Sequence, residues 1–156
     1  MIKRLIFDID GTLITGISFD KAIKKSLLEL GLFSDENKQK FFYAISTYEN
    51  SHSEYEINQY LQYFSKVLGY KLVKDFLDIF FRNLRLYAIP EDNNELVETI
   101  EKLSKNYELV LLSNYFEKSQ RGRLKHIGID NYFSEYYGEK LCKPNKKAFL
   151  DAIRIT

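Results

Sequence analysis

The feature that most constrains this chain is its opening, where the apolar run Arg4-Leu-Ile-Phe-Asp-Ile9 leads straight into Asp10-Gly11-Thr12-Leu13. A short run without polar–apolar alternation predicts a strand covered on both faces, as in the middle of a parallel sheet. Ligands of open parallel sheets collect beyond the carboxyl ends of the strands, which is where Asp8 and Asp10 fall. Two carboxylates spaced two apart can face one site once the chain bends, and Gly11 permits both the bend and a close backbone approach. One carboxylate so placed can attack a phosphoryl group; a second can give a proton to the leaving alcohol and later activate water.

From residue 93 onward strands and helices alternate. A helix is predicted between Asn94 and Lys105, with Leu96, Val97, Ile100 and Leu103 on one stripe. A second buried-type strand, Tyr107–Leu112, ends at Ser113-Asn114, and a helix from Glu117 to Ile127 stops at Gly128. Tyr132–Tyr137 is a further strand candidate, and Asn145–Ile153 a last helix expected to turn Ala148, Phe149, Ala152 and Ile153 inward. Such alternation predicts an α/β fold, a Rossmann-like parallel sheet with right-handed crossovers.

Residues 16–88 break the alternation. They read as four consecutive helices, Asp20–Leu30, Asp35–Tyr48, Glu54–Leu68 and Leu72–Tyr87, the third opened by a Ser53-x-x-Glu56 capping box and closed by Gly69. The chain has 12 Tyr and 12 Phe, and this block takes many of them, from Phe41 to Tyr87, mostly as helical packing. It lies between the first strand and the next αβ unit, which makes it an insertion above the strand ends. The expected division is therefore a core of residues 1–15 and 89–156 with a helical insertion over 16–88.

Composition excludes several function classes. With 45% apolar and 29% charged residues the chain is of a folding type. A formal net charge of +1 supplies no general attraction to nucleic acid or anionic lipid, so neither is an expected partner. No apolar run reaches the roughly 20 residues of a membrane span. The single cysteine, Cys142, allows no intrachain disulfide and fits a reducing compartment; a cytoplasmic location is expected. His52 falls in a helix–helix turn and His126 at a helix end, as surface groups or dipole partners. Cys142 reads as a packing residue. Lys118, Arg121, Arg123 and Lys125 read as the exposed face of one helix.

Asp8-Ile-Asp10-Gly-Thr-Leu13 resembles the first motif, D-x-D-G-T-[LV], of the haloacid dehalogenase (HAD) superfamily of phosphatases and phosphotransferases. The second motif of that superfamily, a Ser or Thr ending the next strand, is matched by Ser113. Its third, a Lys before a helix, is matched by Lys143-Pro144, and Lys143-Pro-Asn-Lys-Lys-Ala-Phe149 is similar to members with a helical cap between motifs one and two. A Ser at a strand-to-helix turn is commonly a helix cap and a lone Lys commonly a solvated charge; order and separation from Asp8 set these two apart.

The resemblance implies Asp8 as nucleophile, forming an aspartyl-phosphate, and Asp10 as general acid/base. It implies Mg²⁺ held by the Asp8 carboxylate and the Asp10 backbone carbonyl, phosphate binding by Ser113 with Asn114 and Thr12, and Lys143 offsetting the negative charge. Cations placed where charge develops agree with that assignment. The acid two places after the nucleophile suits phosphate esters, whose alkoxide needs a proton, whereas departing halide needs none. The implied substrate is a small phosphorylated metabolite.

The superfamily's fourth motif, an acidic cluster on a later strand, is missing from the 156 residues, since Asp151 is the only acid after Lys143 and lies in a predicted helix. Weak Mg²⁺ binding, impaired turnover and an apolar first-strand edge open to self-association are the expectations, as for a truncated form of a longer enzyme. Two alternatives stay open: a phosphomutase or phosphotransferase of the same superfamily, and a non-catalytic binding module with a degenerate metal site.

Overall fold

In a computed structural model, residues 1–154 are described. Three parallel strands, β1 (Arg4–Phe7), β2 (Glu108–Leu112) and β3 (Phe133–Tyr137), form one sheet in the order β1-β2-β3. Arg4 pairs with Glu108 and Phe7 with Leu111, while Leu109 pairs with Phe133 and Leu112 with Tyr137 across a register irregularity after Leu109. The fold is α/β with a Rossmann-like parallel core, as the alternation predicts. β2 is buried along Leu109–Leu112 because it is flanked on both sides. With β2 as its one neighbour among the described residues, β1 is the apolar edge strand expected where the later strands are missing, and Ile6, 38% exposed, corrects the reading of a strand covered on both faces.

Arg4, inside the first apolar run, is what clasps the sheet. Its guanidinium makes two 2.9 Å bonds to the Glu108 carboxylate, reaches Glu135 at 3.2 Å and donates to the Ala152 carbonyl at 3.0 Å. One side chain thus joins all three strands to the last helix, the planar fork matching a carboxylate where an ammonium would not.

Around the sheet lie α5 (Asn94–Ser104), α6 (Glu117–His126) and α7 (Lys146–Ile153). Ile9, Ile14, Ile100, Leu109, Leu111, Leu124, Ile129 and Phe133 form the core between sheet and helices. On α7 only Ala148 and Ala152 pack inward, beneath Leu112. Phe149 and Ile153 correct the expectation, being 42% and 56% exposed. The inward stripe runs through the residues four apart, and each helical step of about 100° carries the next side chain off it.

The helical insertion comprises α1 (Asp20–Glu29), α2 (Asp35–Ser51), α3 (Ile57–Leu68) and α4 (Lys74–Tyr87). It has its own core, centred on the fully buried Phe41, whose ring meets Phe64, Phe76 and Phe80 edge-on at 5.2, 5.7 and 5.1 Å. Such geometries set the electropositive ring edge against the electronegative face. Between α1 and α4, buried Asn83 donates to Ser26 Oγ at 3.0 Å and Glu29 Oε1 at 3.1 Å.

The capping box expected at Ser53 does not form. Helix α3 starts later, with Glu56 as N-cap accepting from the N–H groups of Asn58 and Gln59 at 3.0 and 2.9 Å. The residues before it are engaged elsewhere: the Cys142 N–H donates to the Ser53 carbonyl at 2.8 Å, and the Tyr55 N–H to the Glu139 carbonyl at 2.7 Å. Pairing with the core outcompetes another half-turn of helix. No helix among the described residues is long and apolar enough to cross a membrane.

Candidate active site

The end of β1 runs into a tight loop. The Ile9 carbonyl accepts from the N–H groups of Thr12 (3.2 Å) and Ile14 (2.9 Å), and the Gly11 N–H donates to the Ile14 carbonyl at 2.8 Å. Gly11 takes a φ of 84°, a left-handed value that a side chain would resist. This loop brings Asp8 and Asp10 to the wall of one cavity of about 320 Å³, which Ser113, Asn114 and Lys143 also line. Four segments distant in sequence, the β1 loop, the β2 end, the Lys143 turn and the helical insertion, meet there.

Lys143 Nζ lies 2.9 Å from Asp8 Oδ2, and the Ile9 N–H donates to Asp8 Oδ1 at 2.8 Å. One oxygen of Asp8 is thus tied to a cation and the other to the main chain. Ser113 follows β2, continues its pairing through a 2.9 Å bond from its N–H to the Tyr137 carbonyl, and is buried. Its carbonyl accepts from the Tyr136 hydroxyl at 2.7 Å, and its Oγ accepts from the Gln120 amide at 3.1 Å. Close approach of β3 to this turn requires Gly138 (φ 112°), where a Cβ would stand 2.2 Å from the Ser113 carbonyl oxygen.

Asn114 is occupied as a clamp. Its Oδ1 accepts from the Lys143 N–H at 2.7 Å while its Nδ2 donates to the Lys143 carbonyl at 3.0 Å and to Glu49 at 2.9 Å. The two loops carrying Ser113 and Lys143 are joined by this reciprocal pair. The Lys143–Pro144 peptide is cis. Thr12 is not brought to the cavity; it is exposed and lines a separate surface hollow with Pro90, Asn93 and Asn94. The loop bends at Gly11, so the residue beyond it points away from its predecessors.

Arg123 overturns its expectation most fully. It is 1% exposed, and its guanidinium grips the Asp10 carboxylate, Nη2 to Oδ1 at 2.9 Å and Nη1 to Oδ2 at 3.1 Å. Lys125 and His126 lie on the exposed side of α6, and Arg121 is paired to Glu117 and Asp130. Arg123 sits instead on the inward stripe of Phe116, Gln120, Leu124 and Ile127, a spacing visible in the sequence. His52 closes α2 and stacks on Tyr48 at 3.9 Å.

Away from the carboxylates the cavity is walled by rings and aliphatic groups, among them Phe19, Tyr55, Tyr60, Phe80 and Tyr115. Tyr60 and Tyr115 share a 3.1 Å hydroxyl–hydroxyl bond. Burial pushes the phenols of Tyr55, Tyr60 and Tyr115 well above the usual tyrosine value, so they stay neutral donors. Cys142 is buried beside this wall; burial first, then Glu49 and Glu54, push its thiol up to about 11, which leaves it protonated and unreactive.

For a divalent cation the Asp8 carboxylate and the Asp10 carbonyl are the candidate donors, and the Glu49 carboxylate lines the same cavity. Among the described residues the loop's own hydrogen bonds go to the Ile9 and Ile14 carbonyls, not to that of Asp10. These hard oxygens suit Mg²⁺, which keeps several waters when few protein ligands are present. No cluster of three or more acidic, His or Cys ligands occurs among the described residues.

A comparison with curated protein sequences gives no match. Among solved structures, the chain is similar to the HAD-hydrolase YfnB from Bacillus subtilis bound to magnesium (TM-score 0.59, 18% identity, 87% of this chain and 64% of that one). It is similar to a HAD family enzyme from Bacteroides thetaiotaomicron, a variant in complex with magnesium and inorganic phosphate (TM-score 0.59, 18% identity, 97% and 76%). It is also similar to L-2-haloacid dehalogenase from Xanthobacter autotrophicus with chloropropionic acid covalently bound (TM-score 0.57, 15% identity, 96% and 63%). At these identities the likeness is one of fold, and the chain spans about two thirds of the first of these structures. A family model described as haloacid dehalogenase-like hydrolase matches residues 2–156, and the chain belongs to that family.

Proposed function

We propose that this hydrolase acts on a small phosphomonoester, with Mg²⁺ bound and the helical insertion serving as its cap. The observation that carries the reading is the pair of carboxylates, Asp8 held by Lys143 at 2.9 Å and Asp10 two residues on, lining one cavity with Ser113. In this reading an Asp8 oxygen attacks phosphorus, the ester P–O bond breaks, and Asp10 gives the departing alkoxide its proton. Water then attacks the aspartyl-phosphate, Asp10 takes the proton from that water, inorganic phosphate leaves and Asp8 is restored.

Lys143 lowers the repulsion between the Asp8 anion and the incoming phosphate, and Ser113 offers its hydroxyl to a phosphoryl oxygen. Asn114 holds both in register through the Lys143 backbone. Mg²⁺, on the Asp8 carboxylate and Asp10 carbonyl, would supply charge neutralisation on the phosphoryl oxygens. The choice over carbon–halogen cleavage rests on the acid at position 10, since halide departs without a proton; the magnesium in two of the similar structures supports the metal.

The test is phosphate release from p-nitrophenyl phosphate and from an alkyl phosphate with and without Mg²⁺, beside D8N. Mg²⁺-dependent release abolished by D8N is expected. Release that D8N leaves unchanged, or release of halide from a 2-haloacid in place of phosphate, would overturn the reading.

A further inference from the structure

We infer that Arg123 is the positioning residue for Asp10 and ties its carboxylate to the place where the helical insertion rejoins the core. The inference rests on the reading of Asp10 as acid and base. Both Asp10 oxygens are gripped, Oδ1 by Nη2 at 2.9 Å and Oδ2 by Nη1 at 3.1 Å, which is the two-pronged match of guanidinium to carboxylate. The guanidinium is itself pinned. Its Nε and Nη2 donate to the Ala88 carbonyl at 2.9 and 2.7 Å, and Nη1 donates to Gln120 Oε1 at 2.9 Å. Ala88 caps the end of α4, the last helix of the insertion.

Gln120 completes the frame. Its amide nitrogen donates to Asp10 Oδ2 and to Ser113 Oγ, both at 3.1 Å, so the acid and the hydroxyl at the end of β2 are held at a fixed separation. Phe19, just before α1, lies under the guanidinium at 5.4 Å. Arg123 therefore touches the chain both where it enters and where it leaves the insertion. Oδ1 accepts one hydrogen bond where Oδ2 accepts two, so Oδ1 keeps the lone pair on which a proton is carried. That oxygen is useful only if it stands close to the departing alkoxide, and misplacement by about 1 Å can cost about 10²-fold. Lysine cannot reproduce this arrangement, since a single ammonium cannot face two carboxylate oxygens and the Ala88 carbonyl in one plane.

A buried arginine that only stabilised the fold would predict different kinetics. In the proposed role, R123Q lowers kcat/KM for an alkyl phosphomonoester such as glycerol 2-phosphate by roughly 30- to 100-fold. It lowers that for p-nitrophenyl phosphate, whose phenolate leaves without a proton, by less than about 3-fold. Because kcat/KM reports steps up to the first product release, later hydrolysis of the aspartyl-phosphate does not blur the contrast. R123K, which keeps the cation, shows the same split; it also serves if R123Q folds poorly. In a D10N background R123Q costs nothing further on the alkyl substrate. Equal losses on both substrates, or losses that add to those of D10N, overturn the inference. Should wild type and D8N release phosphate alike, the hydrolase reading has failed on its own. A crystal structure of R123Q then decides independently of turnover: an Asp10 carboxylate that leaves its place supports the positioning role, and one that stays overturns it.

Discussion

Lys143 Nζ stands 2.9 Å from Asp8 Oδ2, and the turn that carries the lysine is held by Asn114 from the end of β2. The ammonium is thus a preorganised charge. K143M is expected to lower phosphate release about 10²- to 10³-fold, measured as kcat/KM. Both groups are partly exposed, so the same change should shift stability by no more than about 1 kcal/mol in urea titrations. A stability loss large enough to account for the lost activity would contradict this division.

Gly138 has no room for a side chain. A Cβ would meet the Ser113 carbonyl oxygen at 2.2 Å and its carbon at 2.6 Å, and φ is 112°. The obstacle is backbone at the site itself and cannot swing aside. G138A should cost at least about 2 kcal/mol in urea unfolding and displace the Ser113 turn, with loss of activity at temperatures where the variant remains folded.

The Cys142 thiol is raised from 9.0 to about 11, first by burial and then by Glu49 and Glu54. The folded chain therefore binds this proton more tightly than the unfolded chain. The stabilisation is fully present below pH 9 and is lost as pH climbs from about 9 to about 11. Urea midpoints of wild type and C142A at pH 8, 10 and 11 should converge or cross as pH rises. Tyr48, pushed up to about 12 chiefly by burial, is common to both proteins, and only the part of its shift that comes from Cys142 differs between them. At pH 8 the native thiol should also resist a disulfide reagent that labels it quickly in urea.

Phe41 is fully buried and touches three rings of the insertion. F41A leaves a void those rings cannot close together, at a cost of about 3–5 kcal/mol. Amide exchange should show α2, α3 and α4 losing protection before the strands, because Phe41 belongs to the insertion's core and not to that of the sheet. Uniform loss across both would mean the two cores unfold as one.

How much of this could be read beforehand depended on whether the deciding interaction was local. Asp8, Asp10, Ser113 and Lys143 stand at strand ends or helix starts, which apolar runs, glycines and a proline mark in the sequence. Arg123 escapes a reading by residue type because arginine is usually exposed, and its partners lie at positions 10 and 88, on other segments. The clue was positional: it shares a face with Phe116, Gln120, Leu124 and Ile127, all buried. Ser53 failed as a cap for the same kind of reason, since its carbonyl is taken by Cys142 across the molecule. The place of Thr12 in the motif points to the phosphate, but the turn at Gly11 sends it to a separate hollow.

The hydrogen bonds from Tyr55 to Glu139 and from Cys142 to Ser53 have a mechanical meaning: the insertion joins the core at its two chain crossings, and these bonds fasten it a third time between them, just before α3. Each such bond contributes about 0.5–1.5 kcal/mol net, so the insertion is anchored to the core through main-chain pairing that no side-chain truncation can remove directly, and its tilt over the strand ends is written into the backbone.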